Sequence, residues 1–481
     1  MGLMTAMQYK DSLKDGRVVY YEGEKVDDVT SHRALKICVD TAAIDYEMAE
    51  MPQFRDLAVV KHPKTGEPIS RYYYTPTGAE DLLKRHELMV TATKLGNGII
   101  PFSHDIGADA MNAVNITANT MGNKEYIARA EKYRATLQKE DLSVACAMSD
   151  VKGDRVLRPS SSKQEHPDYY VHIVDRNDKG IVVRGAKAHI TAAAYCAEIL
   201  VVPCRNMEES DKDYAVAFAI PANTKGVIQV CHPVESHRSS LDFPIDLPVR
   251  NHTDSLIIFD DVFVPWERVF LAGEWQFALP LVYNFAYLHR HTAASYRIPS
   301  VEGMLGAAVA MADYNGISNV PHVREEITDL VIYCNTLKSL AKASCIDFVT
   351  HGGIPIPNPI LTNMAKYHFA TNFHNCLKLI QDVAGGLLVT APTYKDFQNP
   401  DIGEFIKKYL GGRAGASAEA RLRMFQLLRR MMQVTNEVVA VHAEGSLQAQ
   451  RQMIYFESLK EMNEYKKMVE ISSGIRKIEP V

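Results

Sequence analysis

The sequence lacks the signatures by which many nucleotide-binding and metal-binding proteins are recognised. It contains neither GxGxxG nor GxxxxGK[ST], so a nucleotide cofactor would be held by something other than a Rossmann turn or a P-loop. Its eight cysteines are scattered, with no CxxC pair and no Cys/His group at zinc spacing. Scattered cysteines are usually small buried apolar residues. The sequence therefore predicts no metal site.

A strong excess of charge and a long apolar run are also missing. The formal net charge is −5, which favours binding neither to nucleic acid nor to an anionic membrane. The first residues show no cationic segment followed by an apolar one, as a signal peptide would. The most apolar stretch, residues 191–204, is too short to span a bilayer and contains Glu198. We therefore expect a cytoplasmic protein with neither nucleic acid nor membrane as a partner.

The composition that remains is that of a soluble globular protein. With 481 residues, 47% hydrophobic and 23% charged, the chain can form two or three domains around sizeable cores. The pattern changes twice along the chain, which predicts a mostly helical domain at 1–140, a β domain at 141–275 and a helical domain at 276–481.

The helical signals are strongest near both ends. Residues 31–50 have a helical pattern that Pro52 should stop. Thr77 and Glu80 have the spacing of a capping box, which predicts a helix from there to about Leu95. Four long helices, the number needed for a bundle, are predicted at residues 285–314, 327–348, 364–383 and 417–442.

The middle of the chain is rich in β-branched residues. Six short runs, separated by Asp, Asn, Gly and Pro, predict a small sandwich or barrel. They lie at residues 169–175, 180–187, 197–203, 214–221, 226–231 and 255–259.

The chain is organised around residues 144–155, VACAMSDVKGDR. An apolar run passes there into polar, glycine-containing backbone, which can present N–H groups to a ligand, and Lys152 and Arg155 suit a pyrophosphate. Downstream, the segment Gly180–Thr191 predicts a hairpin with its turn at Gly185-Ala186 and a second strand carrying Thr191. The two segments are interpreted as the wall of a flavin site; the alternative is a polar loop beside an ordinary hairpin.

Six motifs, in order along the chain, resemble one family. They are MSDVKGDR (148–155), GIVVRGAKAH (180–189), DKDYAVAFA (211–219), HR followed by GAAVAMADYNG (289–290 and 306–316), DVAGGLLVT (382–390) and GSLQAQR (445–451). The family contains the 4-hydroxyphenylacetate 3-hydroxylases and 4-hydroxybutyryl-CoA dehydratase. The resemblance is closer to the dehydratase. It implies an α+β protein with the acyl-CoA dehydrogenase-like fold: an N-terminal helical domain, a middle β-barrel or sandwich, and a C-terminal four-helix bundle.

The resemblance also implies FAD and the residues that would hold it. One group of residues matches the family's flavin loop and its flavin-contacting threonine. A second group matches two other segments: one that in this fold reaches the flavin of a neighbouring subunit, and one near the C-terminus that also contacts flavin. The first group is Cys146, Ala147, Met148, Lys152, Gly153, Asp154, Arg155 and Thr191, and the second is Gln381, Gly385, Gly386, Gly445, Ser446, Leu447 and Gln448. A site completed by a second chain implies a homo-oligomer, a tetramer as in the family.

The chain departs from the dehydratase at the positions of its iron–sulfur cluster. The three cysteine ligands fall on Pro101, Asp105 and Tyr296, whereas the histidine ligand is kept as His289. Carboxylate and phenol oxygens substitute poorly for thiolates at such a cluster, so we predict none. The dehydratase lysine is Arg297 here, and its catalytic glutamate falls on Val439.

The hydroxylase residues are not kept either. The phenol-binding arginine and tyrosine fall near Ile106 and Ala110, and the histidine falls near Cys146. Five other residues are predicted to be catalytic: His289 and His104 as proton carriers, Tyr296 as a donor to an oxyanion, Arg297 to bind a carboxylate or phenolate, and Asp105. His104 also suits a satisfied position in the core, and Asp105 suits the cap of the turn at Gly107.

Three functions follow from these features. The first is the oxygenase component of a two-component monooxygenase, which takes FADH2 from a separate reductase and oxygenates an aromatic or related small molecule. The absence of an NAD(P)H-binding motif favours dependence on such a reductase for reduced flavin. The second is a cluster-free flavin dehydratase, isomerase or dehydrogenase of an acyl-CoA. The third is a flavin-binding protein without catalysis. The sequence favours the first.

Overall fold

The computed structural model describes residues 3–234, 243–244, 249–432 and 434–476, with only the backbone at 434–437. The chain divides into two units. The first comprises Met1–Ser300 and Thr350–Ile356, and the second comprises Val301–Val349 and Pro357–Val481. The division into three domains at 140 and 275 stays a prediction.

The first unit begins with helices and a small hairpin. The helices are α1 (Ala6–Ser12), α2 (Leu35–Ala42), α3 (Ile44–Glu50), α4 (Pro52–Ala58), α5 (Ala79–Leu95), α6 (Asp105–Met121) and α7 (Lys124–Glu140), and the hairpin is β3 (Val59–Lys61) with β4 (Pro68–Ser70). Residues 31–50 thus contain two helices instead of one. Pro52 opens α4 as well as ending α3, because the first helical position needs no N–H donor.

The predicted capping box at Thr77 and Glu80 is wrong. Gly78 is the residue that precedes α5, and the Thr77 hydroxyl donates to Asp81 Oδ2 at 2.6 Å. The helix itself was predicted correctly, including its end at Leu95. The local motif T-x-x-E therefore marked the helix start without forming the contact that defines a capping box.

Two sheets form the middle of the first unit. The larger has the strand order β2-β1-β10-β11-β7-β6, and the smaller has the order β12-β9-β8-β5. The strands are β1 (Val18–Tyr21), β2 (Glu24–Val26), β5 (Val144–Ala147), β6 (His172–Arg176), β7 (Gly180–Thr191), β8 (Glu198–Val201), β9 (Val216–Pro221), β10 (Val227–Cys231), β11 (Asp254–Pro265) and β12 (Val269–Ala272). Each of the six predicted β runs overlaps a strand. The larger sheet also recruits β1 and β2 from the N-terminus.

Residues 180–191 form one strand, so the hairpin predicted at Gly185-Ala186 is wrong. β7 pairs along β11 from Gly180 to Thr191, with a register shift between Phe259 and Val262. Gly185 lies at this irregularity with φ +133°, and a Cβ atom there would collide with the backbone of Val171. The glycine thus makes a bulge within the strand and not a turn.

The long helix α8 (Ala278–Tyr314) runs from the first unit into the second and contains Pro299. The second unit continues with α9 (Pro321–Ile346), α10 (Pro359–Ala384), α11 (Leu387–Thr390), α12 (Tyr394–Gln398), α13 (Gly403–Tyr409), α14 (Ala418–Met431), α15 (Val434–His442), α16 (Leu447–Glu457) and α17 (Leu459–Ser472). A short hairpin, β13 (Val349–His351) with β14 (Ile354–Ile356), follows α9.

The four predicted bundle helices correspond to α8, α9, α10 and the pair α14 and α15. Ser417 caps α14 by accepting from the N–H of Ala420, as predicted. The single helix expected over residues 417–442 is described as two helices, and residue 433 between them lies outside the described residues. None of the described helices combines the length and the hydropathy that crossing a membrane would require.

Candidate active site

The segment before α6 is fixed against β5. The N–H of Val144 donates to the carbonyl of Ser103 at 2.9 Å, and Gly107 lets α6 approach the strand, because a Cβ atom there would collide with Val144. Phe102 has φ +60°, a left-handed conformation that costs a bulky residue on the order of 1 kcal/mol. The start of α6 is thus held beside the strand that leads into residues 148–155.

Asp109 is the centre of a buried polar group between α5, α6 and α8. Its carboxylate accepts hydrogen bonds from Arg85 Nη2 at 2.7 Å and the Thr292 hydroxyl at 2.8 Å, and its Oδ2 lies 3.3 Å from His289 Nδ1. Burial would raise the pKa of Asp109, but the Arg85 charge and the contacts to His289 and Thr292 outweigh it and lower that pKa. Asp109 is therefore a carboxylate that orients the His289 ring.

Asp105 lies one helical turn before Asp109 and has the opposite character. Its side chain is fully buried, and neither carboxyl oxygen has a hydrogen-bond partner among the described residues. Burial raises its pKa to about 7, with further increases from Asp45 and Asp109 that His289 and Arg85 only partly offset. The presence of His289 acts to lower the pKa of both Asp105 and Asp109. The structure therefore places Asp105 close to His289, and both residues were predicted to be catalytic.

His104 belongs to a separate buried cluster. Its Nδ1 lies 2.9 Å from the Ser103 hydroxyl, and its Nε2 lies 3.2 Å from Asp141 Oδ1. Burial would lower the pKa of His104, but hydrogen bonding to Asp141 and Asp45 raises it to about 10. A histidine held as a cation at neutral pH is a poor proton carrier. These contacts indicate a structural role, and the catalytic assignment of His104 stays a prediction.

Tyr296 and Arg297 lie near the same loop before α6. The Tyr296 ring meets Phe102 edge to face at 5.6 Å, and the Arg297 guanidinium carbon lies 5.3 Å from the Tyr296 ring centre. Phe102 also packs on His252 at 5.0 Å. Burial lowers the pKa of His252, and the Arg297 charge lowers it further, whereas the Asp254 charge acts in the opposite direction. His252 is therefore a neutral imidazole beside the predicted substrate groups.

Asp254 connects this region to the predicted flavin wall. The Thr191 hydroxyl donates to Asp254 Oδ1 at 2.6 Å across the β7–β11 pair. That donation leaves the Thr191 oxygen able to accept a hydrogen bond, for example from a ring N–H of a flavin. Thr191 is thus hydrogen-bonded to Asp254, whose charge raises the pKa of His252, and His252 packs on Phe102.

The loop after β5 is held in place by Lys187 of strand β7. Lys187, on β7, is buried and donates from Nζ to the carbonyl of Met148 at 2.8 Å and to Asp150 Oδ2 at 2.9 Å. The other Asp150 oxygen accepts from the N–H of Val171. Asp150 and Lys187 therefore fix the loop, while Cys146 and Ala147 are buried in β5 and can offer a ligand only their backbone.

The tip of this loop carries two cationic side chains, Lys152 and Arg155. Lys152 has φ +76° and is half-buried, and Arg155 is exposed. Within the described ranges neither side chain forms an ion pair or hydrogen bond, although Asp154 accepts from the N–H of Val156. Two cations of this kind beside a glycine-containing loop fit the charge of a pyrophosphate, so the residues present suit FAD.

The second unit presents the other predicted flavin contacts on its surface. Gly385 and Gly386 are exposed, with open space where a Cβ atom would lie, and the exposed Gln381 donates to Met432 Sδ at 3.7 Å. Ser446 caps α16 by accepting from the N–H of Ala449. Gly445 and Gln448 are also exposed, and Leu447 is half-buried.

Two family models together match almost the whole chain. The model for the 4-hydroxyphenylacetate 3-hydroxylase N-terminal region matches residues 5–271, and that for the C-terminal region matches residues 278–472. The chain belongs to the 4-hydroxyphenylacetate 3-hydroxylase family. The resemblance to this family that the six motifs predicted is thereby confirmed.

Individual relatives lie on two branches of the hydroxylase family. A 4-hydroxybutyryl-CoA dehydratase/vinylacetyl-CoA Δ-isomerase of Clostridium aminobutyricum is 32% identical, covering 98% of this chain and 100% of that protein. The 4-hydroxyphenylacetate 3-monooxygenase oxygenase component of Thermus thermophilus is 28% identical, covering 88% and 87%. These relatives confirm that the chain is an enzyme, and the monooxygenase assignment is supported, with the dehydratase as the alternative.

Solved structures confirm the fold. The oxygenase component of 4-hydroxyphenylacetate 3-monooxygenase in complex with FAD superposes with a TM-score of 0.85 at 26% identity, covering 98% of this chain and 99% of that one. Glutaryl-CoA dehydrogenase superposes more distantly, with a TM-score of 0.51 at 12% identity, covering 89% and 96%. The acyl-CoA dehydrogenase-like fold is therefore confirmed.

The four positions that the resemblance matches to the dehydratase cluster ligands, Pro101, Asp105, His289 and Tyr296, all belong to the first unit. Asp105 and His289 influence each other electrostatically, and Tyr296 contacts Phe102, which follows Pro101. No thiol occupies any of the four positions. In the described part of the chain, no three His, Cys, Asp or Glu side chains are grouped to hold a metal ion. The residues present do not fit an iron–sulfur cluster.

The sequence did not single out three residues that the structure places at this site. Phe102 packs on Tyr296, His252 packs on Phe102, and Arg85 donates to Asp109 and to the carbonyl of Asp105, yet none of the three lies in a motif. Asp109 was not among the predicted catalytic residues. The only signal in the sequence was its spacing of four residues from Asp105, which places both carboxyls on one face of a helix.

Proposed function

We propose that this chain is the oxygenase component of a two-component flavin monooxygenase. It takes FADH2 from a separate flavin reductase and hydroxylates a small aromatic substrate. We further propose that it works in the cytoplasm without an iron–sulfur cluster. One observation carries the proposal: the positions expected to hold the cluster contain Pro101, Asp105 and Tyr296, which cannot supply thiolates.

FAD would lie along the wall formed by β5, β7 and residues 148–155. Met148, Gly153 and Asp154 would offer backbone to it, and Lys152 and Arg155 would bind its pyrophosphate. The Thr191 oxygen would accept from the ring edge while Asp254 fixes the hydroxyl. When bound, the reduced flavin supplies the electrons with which O2 is activated.

The substrate would bind among the side chains near Phe102. Arg297 suits an anionic group, and Tyr296 suits hydrogen bonding to an oxygen of the substrate. His289, oriented by Asp109, would accept or return a proton at its ring. These roles are part of the proposal, as is a contribution from Asp105.

The active enzyme is proposed to be a homotetramer. Most of the exposed large apolar side chains lie in the second unit, including Phe405, Tyr409 and Tyr465. Exposed apolar surface of this kind is typical of a subunit interface. The exposed segment Gln381–Gly386 would then contact the flavin of a neighbouring subunit, and Gly445–Gln448 would supply a further flavin contact.

One observation favours a second function. The relative of Clostridium aminobutyricum has 32% identity and matches 98% of the chain, more than the monooxygenase of Thermus thermophilus does. A flavin-dependent dehydratase, isomerase or dehydrogenase acting on an acyl-CoA without the cluster is therefore the alternative. Such an enzyme would use the same flavin wall and would need no reductase to supply FADH2; as a dehydratase or isomerase it would be redox-neutral, and as a dehydrogenase it would need an electron acceptor to reoxidise its flavin.

Two assays on one preparation separate these functions. The protein, loaded with FADH2, is mixed with O2 and a panel of phenols, and hydroxylated product is quantified. In parallel, the FAD-loaded protein is incubated without O2 with 4-hydroxybutyryl-CoA. The proposal predicts product in the first assay alone. His289→Ala should lose turnover while keeping FAD, whereas the exposed control His322→Ala should keep both. Conversion of the CoA ester alone would overturn the proposal.

A further inference from the structure

Asp105 has an environment that a permanently charged carboxylate could not tolerate. It is completely shielded from solvent, and no donor in the described residues reaches either of its oxygens. A buried carboxylate without hydrogen bonds or a contacting cation is one of the most unfavourable arrangements in a protein. The group must therefore either be uncharged or have a ligand.

The neighbours of Asp105 do not supply the missing charge. Two carboxyls lie nearby, Asp45 on α3 and Asp109 on α6, and both oppose its ionisation. The Arg85 guanidinium donates to the Asp109 carboxylate and, at 3.4 Å, to the backbone carbonyl of Asp105, and His289 Nδ1 lies 3.3 Å from Asp109, so neither of these contacts reaches the Asp105 carboxyl. The remaining titratable groups around it, on the other elements, are Tyr72, His104 and Cys196.

We propose that Asp105 is kept as an uncharged carboxylic acid and donates its O–H to an anionic oxygen of the substrate. The inference rests on the proposed function, and it specifies the class of substrate as one that binds through an ionised hydroxyl, a phenolate. Asp109 and Asp105 then divide the work: the charged carboxylate orients His289, and the neutral one binds the substrate oxygen. Two neighbouring carboxyls with environments this different are typical of acid and base roles.

A protonated Asp105 explains why its carboxyl can be fully buried and why it has no hydrogen-bond partner among the described residues. The O–H group needs an acceptor; none of the described residues supplies one, whereas a phenolate oxygen does. An ionised Asp105 would instead repel that oxygen. Binding of a phenolate should therefore require the protonated acid and should weaken as Asp105 ionises above about pH 7.

The first test uses 4-nitrophenol, whose absorbance reports whether its hydroxyl is ionised. The FAD-loaded protein is titrated with it between about pH 6 and pH 9. Affinity of the wild type for the anion should fall about tenfold for each pH unit above the pKa of Asp105. Asp105→Asn keeps an uncharged donor and should bind the anion with little pH dependence, and Asp105→Leu should bind it weakly at every pH. Identical pH profiles for wild type and Asp105→Asn would overturn the proposal.

The second test needs no substrate, so it separates a wrong role for Asp105 from a wrong reaction. Because the folded-state pKa lies above the unfolded one, the folded protein binds the proton more tightly, and wild-type stability falls as pH rises from about 4 to about 7. Relative to Asp105→Asn, the unfolding constant of the wild type should rise on the order of 100-fold between about pH 5 and pH 7.

The matched control is Asp109→Asn, one turn away on the same helix. Asp109 has a lowered pKa, so its contribution is present throughout this pH range and the variant should be destabilised evenly across it. If Asp105→Asn shows the same even profile as Asp109→Asn, Asp105 is ionised in the folded protein and the proposal fails. If the pH profile is as predicted but no phenol binds, only the substrate assignment fails.

Discussion

His104 and Asp105 are adjacent in the chain and equally buried, yet their surroundings differ completely. His104 contacts Ser103 and Asp141 and lies 3.6 Å from Asp45, so its charge is matched on both sides of the ring. Asp105 has no polar contact from its side chain in the part of the chain that the structure covers. A polar group whose contacts are complete stabilises the fold, whereas one left without contacts indicates where a ligand belongs.

The difference arises at the first residue of α6. His104 precedes the helix, with φ −120°, and its ring reaches Asp141 at the end of α7. Asp105 is the first helical residue, and successive residues on a helix point about 100° apart. Its carboxyl is therefore directed to the face that carries Asp109 and lies near His289.

Removing His104 from its cluster with Ser103, Asp45 and Asp141 should have the largest effect on stability. His104→Leu leaves Asp45 and Asp141 buried without their cation and should cost about 3–5 kcal/mol of unfolding free energy. The folded-state pKa of His104 is raised to about 10, so its stabilisation is complete below about pH 6.5 and is lost as pH rises through 10. Urea unfolding at neutral and alkaline pH measures this.

The deficit of His104→Leu should therefore shrink at high pH. Ser103→Ala removes the hydroxyl that donates to Asp45 and contacts the His104 ring but leaves the His104 cation in place, so it should cost less, about 2 kcal/mol, and serves as the control. A loss from His104→Leu that is equally small at neutral pH would contradict the contact set described for this cluster.

The Arg85–Asp109 pair tests the same principle inside the site. Asp109→Leu should destabilise the protein by about 3 kcal/mol because it leaves the Arg85 guanidinium buried without its anion. The double variant Arg85→Met with Asp109→Leu should recover much of that loss. A double-mutant cycle on unfolding free energies measures the coupling, and a strictly additive result would show that the pair does not interact.

Thr191 tests whether a partly satisfied group contacts the cofactor. Thr191→Val removes the hydroxyl that Asp254 fixes and should weaken FAD binding by about 1 kcal/mol, or roughly fivefold. Thr191→Ser, which keeps the hydroxyl, should bind nearly as the wild type does. Fluorescence titration of FAD measures both variants, and unchanged affinity in Thr191→Val would remove this residue from the flavin site.

The smallest effects are expected at the surface cations. Lys152→Met or Arg155→Met should each weaken FAD binding about two- to fivefold, and less at high salt, because exposed charges are screened. Arg184, which already pairs with Asp261, is the control, and Arg184→Met should leave affinity unchanged. Equal effects at all three positions would indicate a general charge effect and not a pyrophosphate site.

Much of the fold could be predicted from the sequence, because it depends on local pattern and on family motifs. The six β runs and the helix ending at Leu95 are examples. Gly185 was placed in a turn because a glycine between two β-branched runs favours one, and only its pairing with β11 makes it a bulge.

The distribution of contacts could not be predicted. His104 depends on Asp45 and Asp141, and His289 depends on Asp109, which is 180 residues away in the chain. No local pattern shows which of two neighbouring polar residues will find partners at such distances. The sequence could therefore nominate Asp105 and His104 together but could not distinguish them.

The most direct test of the account is a single turnover with measured iron content. Protein loaded with FADH2 is mixed with O2 and a phenol that it binds. The amount of hydroxylated product per FADH2 and the amount of iron per chain are then measured in the same sample. The account predicts about one product per FADH2 with far less than one iron per chain. Iron and sulfide at cluster stoichiometry, with no hydroxylated product and with conversion of 4-hydroxybutyryl-CoA, would contradict it.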